Sequence, residues 1–298
     1  MTRHLIDITD FSAEEVHTIL RLSQQPDLPK VLAGLGVALI FEKPSNRTRH
    51  SMEMAVFQLG GHPVYTRGEE VGIDVRESAE DVALVMAGYH GVLAARVYQH
   101  DKVQRMAKVS PVPVVNMLSD HAHPLQALAD ALTMQQVHGP LAGTRIAWIG
   151  DYNNVARSLG EISVMLGANI VYGCPEGFHP SAAELARLNS LGAGAAAHEV
   201  RPEAATEGAI AVHTDSWVSM GQEAEKQARI ASFQAFTVTG TMMAGAASGA
   251  GFYHCLPAYR GLEVAAEVID GPASHVIAQA HNRMHTARGA LAFLMGVS

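Results

Sequence analysis

The stretch VALIFEKPSNRTRHSMEMAVFQLGG, Val37–Gly61, decides the fold class. Its first five residues are apolar and bounded by turn residues, the pattern of a short buried strand. Pro44 stops that run, and RTRHSMEMAVFQL then reads as a helix ended by Gly60 and Gly61. The join carries Lys43, Arg47 and Arg49 with the hydroxyls of Ser45 and Thr48 between them. Amides at a helix start, two guanidinium groups and two hydroxyls suit a small dianion such as phosphate. The competing reading is that Arg47 and Arg49 form surface ion pairs.

Working outward, SAEEVHTILRLS reads as an early helix capped by Asp10 or Ser12. ESAEDVALVMAGY is helix-like, HGVLAARVY strand-like, and VPVVNML at 112–118 another strand. A polar turn, SDHAHPLQ, then opens a long helix. A second series starts near Leu141 with the strand GTRIAWIGD and the helix VARSLGEISVMLG. It continues through the strand NIVYG, the helix HPSAAELARLNSLG and a weaker strand in the alanine-rich interval up to about 208. GAIAVHTDSW and GFYHCLP add two strand-to-loop transitions. The alternation predicts an α/β protein of two domains, each with a mainly parallel sheet flanked by helices. The expected division is 1–135 and 136–278, with a helix at about 279–298 packing back on the first domain.

The chain has 298 residues, 48% of them hydrophobic, and a formal charge of −8. That size supports a two-domain globular protein. The acid excess argues against nucleic acid or an anionic membrane as partner, while leaving room for a local basic pocket. The two cysteines, Cys174 and Cys255, form no metal-binding spacing and no disulfide framework. The opening MTRHLIDITDFSAEEV lacks an apolar secretory core, and no run of about 18 apolar residues occurs, so a soluble cytoplasmic protein is expected. A Walker loop is absent, and GDYNN after WIG lacks the spaced glycines of a dinucleotide site, so no nucleotide cofactor is called for.

Other polar groups sit where strands end. HAHPLQ places His123 and Gln126 at a helix start, able to polarise a carbonyl or phosphoryl oxygen. Arg96 ends LAARV. HTDSWVSMG offers Asp215 and Ser219, able to hold an ammonium or hydroxyl group, although an Asp-capped turn packed by Trp217 and Met220 has the same pattern. HCLPAYRG sets Cys255 beside His254, but neighbours on a strand diverge, so adjacency makes no nucleophile–base pair.

Taken together and in order, FEKPSNRTR, HPLQ, DSWVSMG and HCLPAYRG resemble the motifs of the ornithine carbamoyltransferases, within the aspartate/ornithine carbamoyltransferase family, across nearly the whole chain. The resemblance implies a two-domain transcarbamoylase fold, one domain mainly binding carbamoyl phosphate and the other shaping the amine site. It implies transfer of the carbamoyl group to the side-chain amine of ornithine, giving citrulline and phosphate in arginine biosynthesis, without metal, cofactor or covalent intermediate. It also implies a homotrimer or a larger assembly of trimers. By the same resemblance, carbamoyl phosphate would meet Ser45, Asn46, Arg47, Thr48, Arg96, His123, Gln126, Cys255, Leu256 and Arg283. Of these, Arg96, His123, Cys255 and Arg283 would take part in catalysis. Ornithine would meet Asn154, Asp215, Ser219 and Met220, with Asp215 facing its α-ammonium. Arg49 belongs to the motif and is left as a support of the loop.

Four positions depart from the usual motifs: Asn46 for threonine, Leu125 for the cysteine of HPCQ, Tyr259 for histidine, and His281 for an acidic residue. The stretch GIDVRES around Ile73–Ser78 differs too. These departures keep two alternatives open beside ornithine transfer: a carbamoyltransferase for another amine, and a non-catalytic trimeric protein that binds carbamoyl phosphate.

Overall fold

Strand β1 (Gly36–Phe41) has hydrogen-bonded neighbours on both edges, β2 (His62–Arg67) and β3 (His90–Arg96), all parallel. A central parallel strand covered on both faces must be apolar throughout, which is why Val37–Phe41 are all buried. β4 (Val114–Leu118) pairs with β3 and completes the sheet in the order β2-β1-β3-β4. The computed structural model describes residues 2–218 and 223–298. It divides into two compact units, Met1–Ala129 with His281–Ser298, and Asp130–Ala280.

In the first unit, Ile40, Leu93 and Ala95 meet Val82 and Ala83 of the helix Ala79–Ala87 and Val103 and Met106 of the helix His100–Val109 in a common core. The helix Ala13–Gln24 is capped by Ser12, whose hydroxyl accepts the Glu15 N–H while the Glu15 carboxylate accepts the Ser12 N–H. Asp10 instead serves the single turn Ile8–Asp10 together with Asp7. The sequence pattern suggested no strand at His62–Arg67. None of its residues is buried and it pairs only with β1, so neither an apolar run nor alternation marks it.

The helix Val276–Leu294 ends in the first unit, where three features fix it. Arg288 donates to the carbonyls of Ser23, Gln25 and Pro26 and to Gln58 Oε1, tying together chain ends of two other helices. Phe293 meets Phe11 edge-on with centroids 5.4 Å apart. Gly289 allows the close approach: a Cβ there would stand 2.8 Å from the Ile19 carbonyl oxygen and 2.3 Å from Ser23 Oγ.

The second unit carries a parallel sheet of five strands: β5 (Arg145–Ile149), β6 (Asn169–Gly173), β7 (Ala195–Glu199), β8 (Ala211–Thr214) and β9 (Gly251–His254). Their order is β7-β6-β5-β8-β9. Ile149, Val212 and Phe252 pack on one core with Val238, Val264 and Val268. The helix Asn154–Met165 is held by Glu161, fully buried between Arg157 at 2.9 Å and Arg187 at 2.8 Å. Both units are therefore α/β layers with all-parallel sheets, the architecture expected from the alternation of elements.

Candidate active site

Where strand order reverses in an open parallel sheet, the loops at the carboxyl ends part and leave a crevice. In the first unit this point lies between β1 and β3, whose last residues, Phe41 and Arg96, are in register. The loop after β1 reaches Ser45, the N-cap of the helix Asn46–Gln58, whose hydroxyl accepts the Thr48 N–H at 3.4 Å. The two hydroxyl oxygens, Ser45 Oγ and Thr48 Oγ1, are 3.1 Å apart. Thr48 Oγ1 also accepts from Arg96 Nη1 at 3.3 Å and from Arg283 Nη2 at 2.9 Å. Arg283 donates through Nη1 to Gln126 Oε1 at 2.8 Å, and the Gln126 N–H returns to the His123 carbonyl at 3.0 Å.

Six of the expected residues of this unit, Ser45, Thr48, Arg96, His123, Gln126 and Arg283, are thus linked at one helix N-terminus. Burial above all, then the charges of Arg283 and Arg96, holds the His123 imidazole well below its usual pKa, so it is neutral near pH 7. Asn46 is exposed and Arg47 half-buried on the first helical turn, next to the hydroxyl pair in sequence. Arg49 lies elsewhere: it stacks over Tyr65 at 3.8 Å and pairs with Glu53 at 2.8 Å. The surface ion-pair reading therefore describes Arg49. Leu125 is buried, an apolar packing position at which a thiol is not required.

In the second unit the order reverses between β5 and β8. The loop after β5 supplies Asn153, N-cap of the helix Asn154–Met165, and the loop after β8 supplies Asp215. Asn153 Oδ1 accepts the N–H groups of Val155 and Ala156, each at 3.0 Å, which turns its Nδ2 to donate to Asp215 Oδ2 at 2.9 Å. Asp215 Oδ1 accepts the Ser216 N–H at 2.8 Å and the Cys255 thiol at 3.2 Å. Asn154 follows as the first helical residue and is half-buried. Asp151, in the same loop, pairs with Arg229, which also donates to the Trp217 carbonyl at 2.6 Å and so fixes the chain just beyond Asp215. Burial, opposed by Arg229, raises the Asp151 pKa. Ser219 and Met220 lie outside the described residues.

Cys255 and Leu256 form the turn after β9. Leu256 has φ 59°, a left-handed conformation uncommon for a branched side chain. Its N–H donates to His254 Nδ1 at 2.8 Å, and His254 Nε2 lies 3.4 Å from Glu263 Oε1. The thiol therefore faces a carboxylate while the adjacent imidazole is engaged with the backbone and Glu263, which excludes a Cys255–His254 nucleophile–base pair in this geometry. Asp215, His254 and Cys255 hold potential metal-binding atoms within 4.8 Å of one another. His254 can ligate through Nδ1 only by giving up the Leu256 N–H. Asn153 and Glu263 went unread in the sequence. An N-cap asparagine two residues beyond the WIGD strand was the available signal for the first; nothing local marks the second.

Two family models match the chain. The carbamoyl-P binding domain of aspartate/ornithine carbamoyltransferase matches residues 3–136, and the Asp/Orn binding domain of the same family matches residues 142–294. An ornithine carbamoyltransferase of Thermus thermophilus is 42% identical over 299 residues, covering 99% of this chain and 97% of that protein. The solved ornithine carbamoyltransferase of Pyrococcus furiosus superposes with a TM-score of 0.94 at 38% identity, covering 100% of this chain and 98% of that one. A solved N-acetyl-L-ornithine transcarbamylase gives a TM-score of 0.87 at 29% identity over 98% of this chain and 99% of its own. With both domain models matched in order and relatives aligned end to end, the chain belongs to the aspartate/ornithine carbamoyltransferase family.

Proposed function

We propose that the first unit binds carbamoyl phosphate and the second binds the amino acid whose amine is carbamoylated. The chain transfers the carbamoyl group of carbamoyl phosphate to ornithine, giving citrulline and phosphate. The observation that carries the division is the convergence of Arg96 and Arg283 on Thr48 Oγ1 at a helix N-terminus. Two fixed guanidinium groups, the hydroxyls of Ser45 and Thr48 and the first-turn amides of Asn46 and Arg47 suit a phosphate dianion.

The uncharged δ-amine attacks the carbamoyl carbon, the C–O bond to phosphate breaks, and the amine proton passes to the departing phosphate. Arg96, Thr48 and neutral His123 stabilise charge on the carbonyl oxygen, His123 as a ring N–H donor that brings no further positive charge. Gln126 orients Arg283. Asp215, turned by Asn153, faces the α-ammonium, with Asn154, Ser219 and Met220 beside the substrate. Cys255 and Leu256 lie at the reacting amine and the carbonyl. Cys255 contributes as a hydrogen-bonding thiol rather than as a nucleophile.

The Asp215 carboxylate favours free ornithine over N-acetylornithine, whose α-nitrogen carries no charge. Citrulline formation with ornithine, N-acetylornithine and putrescine as parallel acceptors tests this. A higher kcat/KM for either alternative overturns the ornithine assignment. The same reading sets the chain in the cytoplasm as a homotrimer or a multiple of it, without nucleic-acid or membrane partners. The exposed Met54 and Phe57 on one helix, and Leu84 and Val85 on another, supply apolar surface for subunit contacts. No helix of the described residues is long and apolar enough to cross a membrane. Sedimentation at a single 31.7 kDa mass would overturn the trimer.

A further inference from the structure

Glu263 is fully buried, far in sequence from every motif named above except HCLPAYRG, and its carboxylate meets one backbone N–H and one ring. Its Oε1 accepts the Tyr259 N–H at 2.5 Å and faces His254 Nε2 at 3.4 Å. His254, at the end of β9, accepts the Leu256 N–H at Nδ1. A backbone donor can only meet the ring's lone pair, so the ring proton sits on Nε2, toward Glu263. His254 is anchored from the other side as well, since its own N–H donates to Gln279 Oε1 at 2.9 Å, and Gln279 Nε2 donates to Asp130 Oδ1 at 2.6 Å. Every side chain in this series is buried. A buried carboxylate beside a buried imidazole is costly, and here Glu263 Oε2 and His254 Nε2 make no hydrogen bond among the described residues. What holds the pair is the Tyr259 N–H on Glu263 Oε1, the Leu256 N–H on His254 Nδ1 and the 3.4 Å approach of the carboxylate to the ring, all at the turn that presents Cys255 and Leu256.

We propose that Glu263 and His254 are positioning residues: Glu263 faces the Nε2 proton and favours that tautomer of His254, and His254 Nδ1 holds Leu256 in its left-handed conformation, so that the Cys255 thiol and the Leu256 carbonyl point to the amine substrate. The pair itself touches no substrate. The inference rests on the assignment of Cys255 and Leu256 to the amine side of the reaction.

The test compares His254→Asn with His254→Gln. Asparagine places an acceptor where Nδ1 stands; glutamine places its amide where Nε2 stands. The Leu256 amide is expected to be protected from hydrogen exchange in the parent and in H254N, and unprotected in H254Q. In steady state, H254Q and Glu263→Leu should lose at least about tenfold in kcat/KM for ornithine while the Kd for carbamoyl phosphate stays within about twofold of the parent; H254N should recover most of that loss. Equal exchange protection in all three proteins overturns the proposal whatever their activity. So does equal activity of H254N and H254Q, or a loss shared equally by both substrates. A parent that makes no citrulline at all would instead overturn the ornithine reading, while the exchange comparison would still decide the role of the pair.

Discussion

Arg283 reaches across 235 positions of sequence to donate to Thr48 Oγ1 at 2.9 Å. Arg96 donates to the same oxygen, so one hydroxyl spaces two buried guanidinium groups that would otherwise repel each other. Thr48→Val should therefore weaken carbamoyl phosphate use without unfolding the sheet. Loss of charge-assisted hydrogen bonds costs about 1.5–3 kcal/mol, or roughly 10- to 150-fold in kcat/KM. Steady-state kinetics against carbamoyl phosphate, with circular dichroism to check the fold, decide it. An unchanged kcat/KM would remove Thr48 from the site.

Arg47→Ala should cost carbamoyl phosphate binding roughly 2–5 kcal/mol if its contact is desolvated in the complex. Arg49→Ala should cost far less, because Arg49 is engaged with Tyr65 and Glu53. Titration of both variants with carbamoyl phosphate separates the two arginines. Equal losses would contradict the division seen at this helix.

Asp215→Asn should raise the KM for ornithine at least tenfold and leave carbamoyl phosphate affinity within about twofold, since the proposed partner of the α-ammonium loses its charge. Asn153→Ala should reproduce part of that effect by releasing the carboxylate it orients. If both substrates suffer equally in D215N, the assignment of the two units is wrong.

His213 is fully buried and stacked on Tyr253 with ring centroids 4.7 Å apart, and burial, then the nearby His254 and His138, pushes its pKa down to about 3. The unfolded imidazole titrates near its usual 6.5, so below that pH the unfolded chain binds more protons than the folded one. The stability contribution of a neutral His213 is complete above about pH 6.5 and is lost as the pH falls toward 3. The slope should be about 1.4 kcal/mol per pH unit for each such imidazole. Urea midpoints at pH 7.5, 6 and 5 should fall less steeply in His213→Phe than in the parent. Parallel slopes would place the acid lability elsewhere.

Gly289→Ala should destabilise the first unit by about 1–3 kcal/mol through overpacking against the Ile19 carbonyl. A thermal melt unchanged from the parent would mean that the helix Val276–Leu294 can shift away at no cost.

Local sequence carries part of this organisation, and only the folded chain reveals the rest. The strand Gly36–Phe41 and the helix after it were legible because a parallel central strand must be apolar on both faces and a helix N-terminus has its own cap chemistry. Strand His62–Arg67 was not, because an edge strand with partly exposed residues imposes neither pattern. In the candidate site, Ser45, Asn46, Arg47 and Thr48 stand together in sequence and advertise themselves. Arg283 does not: it entered only through the resemblance, and its link to Thr48 is a product of the last long helix. Glu263 is the harder case. Its meaning lies in two backbone N–H groups and a ring nitrogen, none of which leaves a trace in the order of side chains.

Arg283 lies on the helix Val276–Leu294, which follows β9 in the chain. Residues 1–280 contain every strand described in both sheets, yet lack one of the two guanidinium groups at Thr48, as well as the Arg288 and Gly289 contacts that hold the helix. A chain stopped before Arg283 would therefore carry both sheets without the second guanidinium group at Thr48. Loss of this helix would take away the second cation at Thr48 and the Arg288 anchor together, so the candidate phosphate site and the closure of the first unit stand or fall as one.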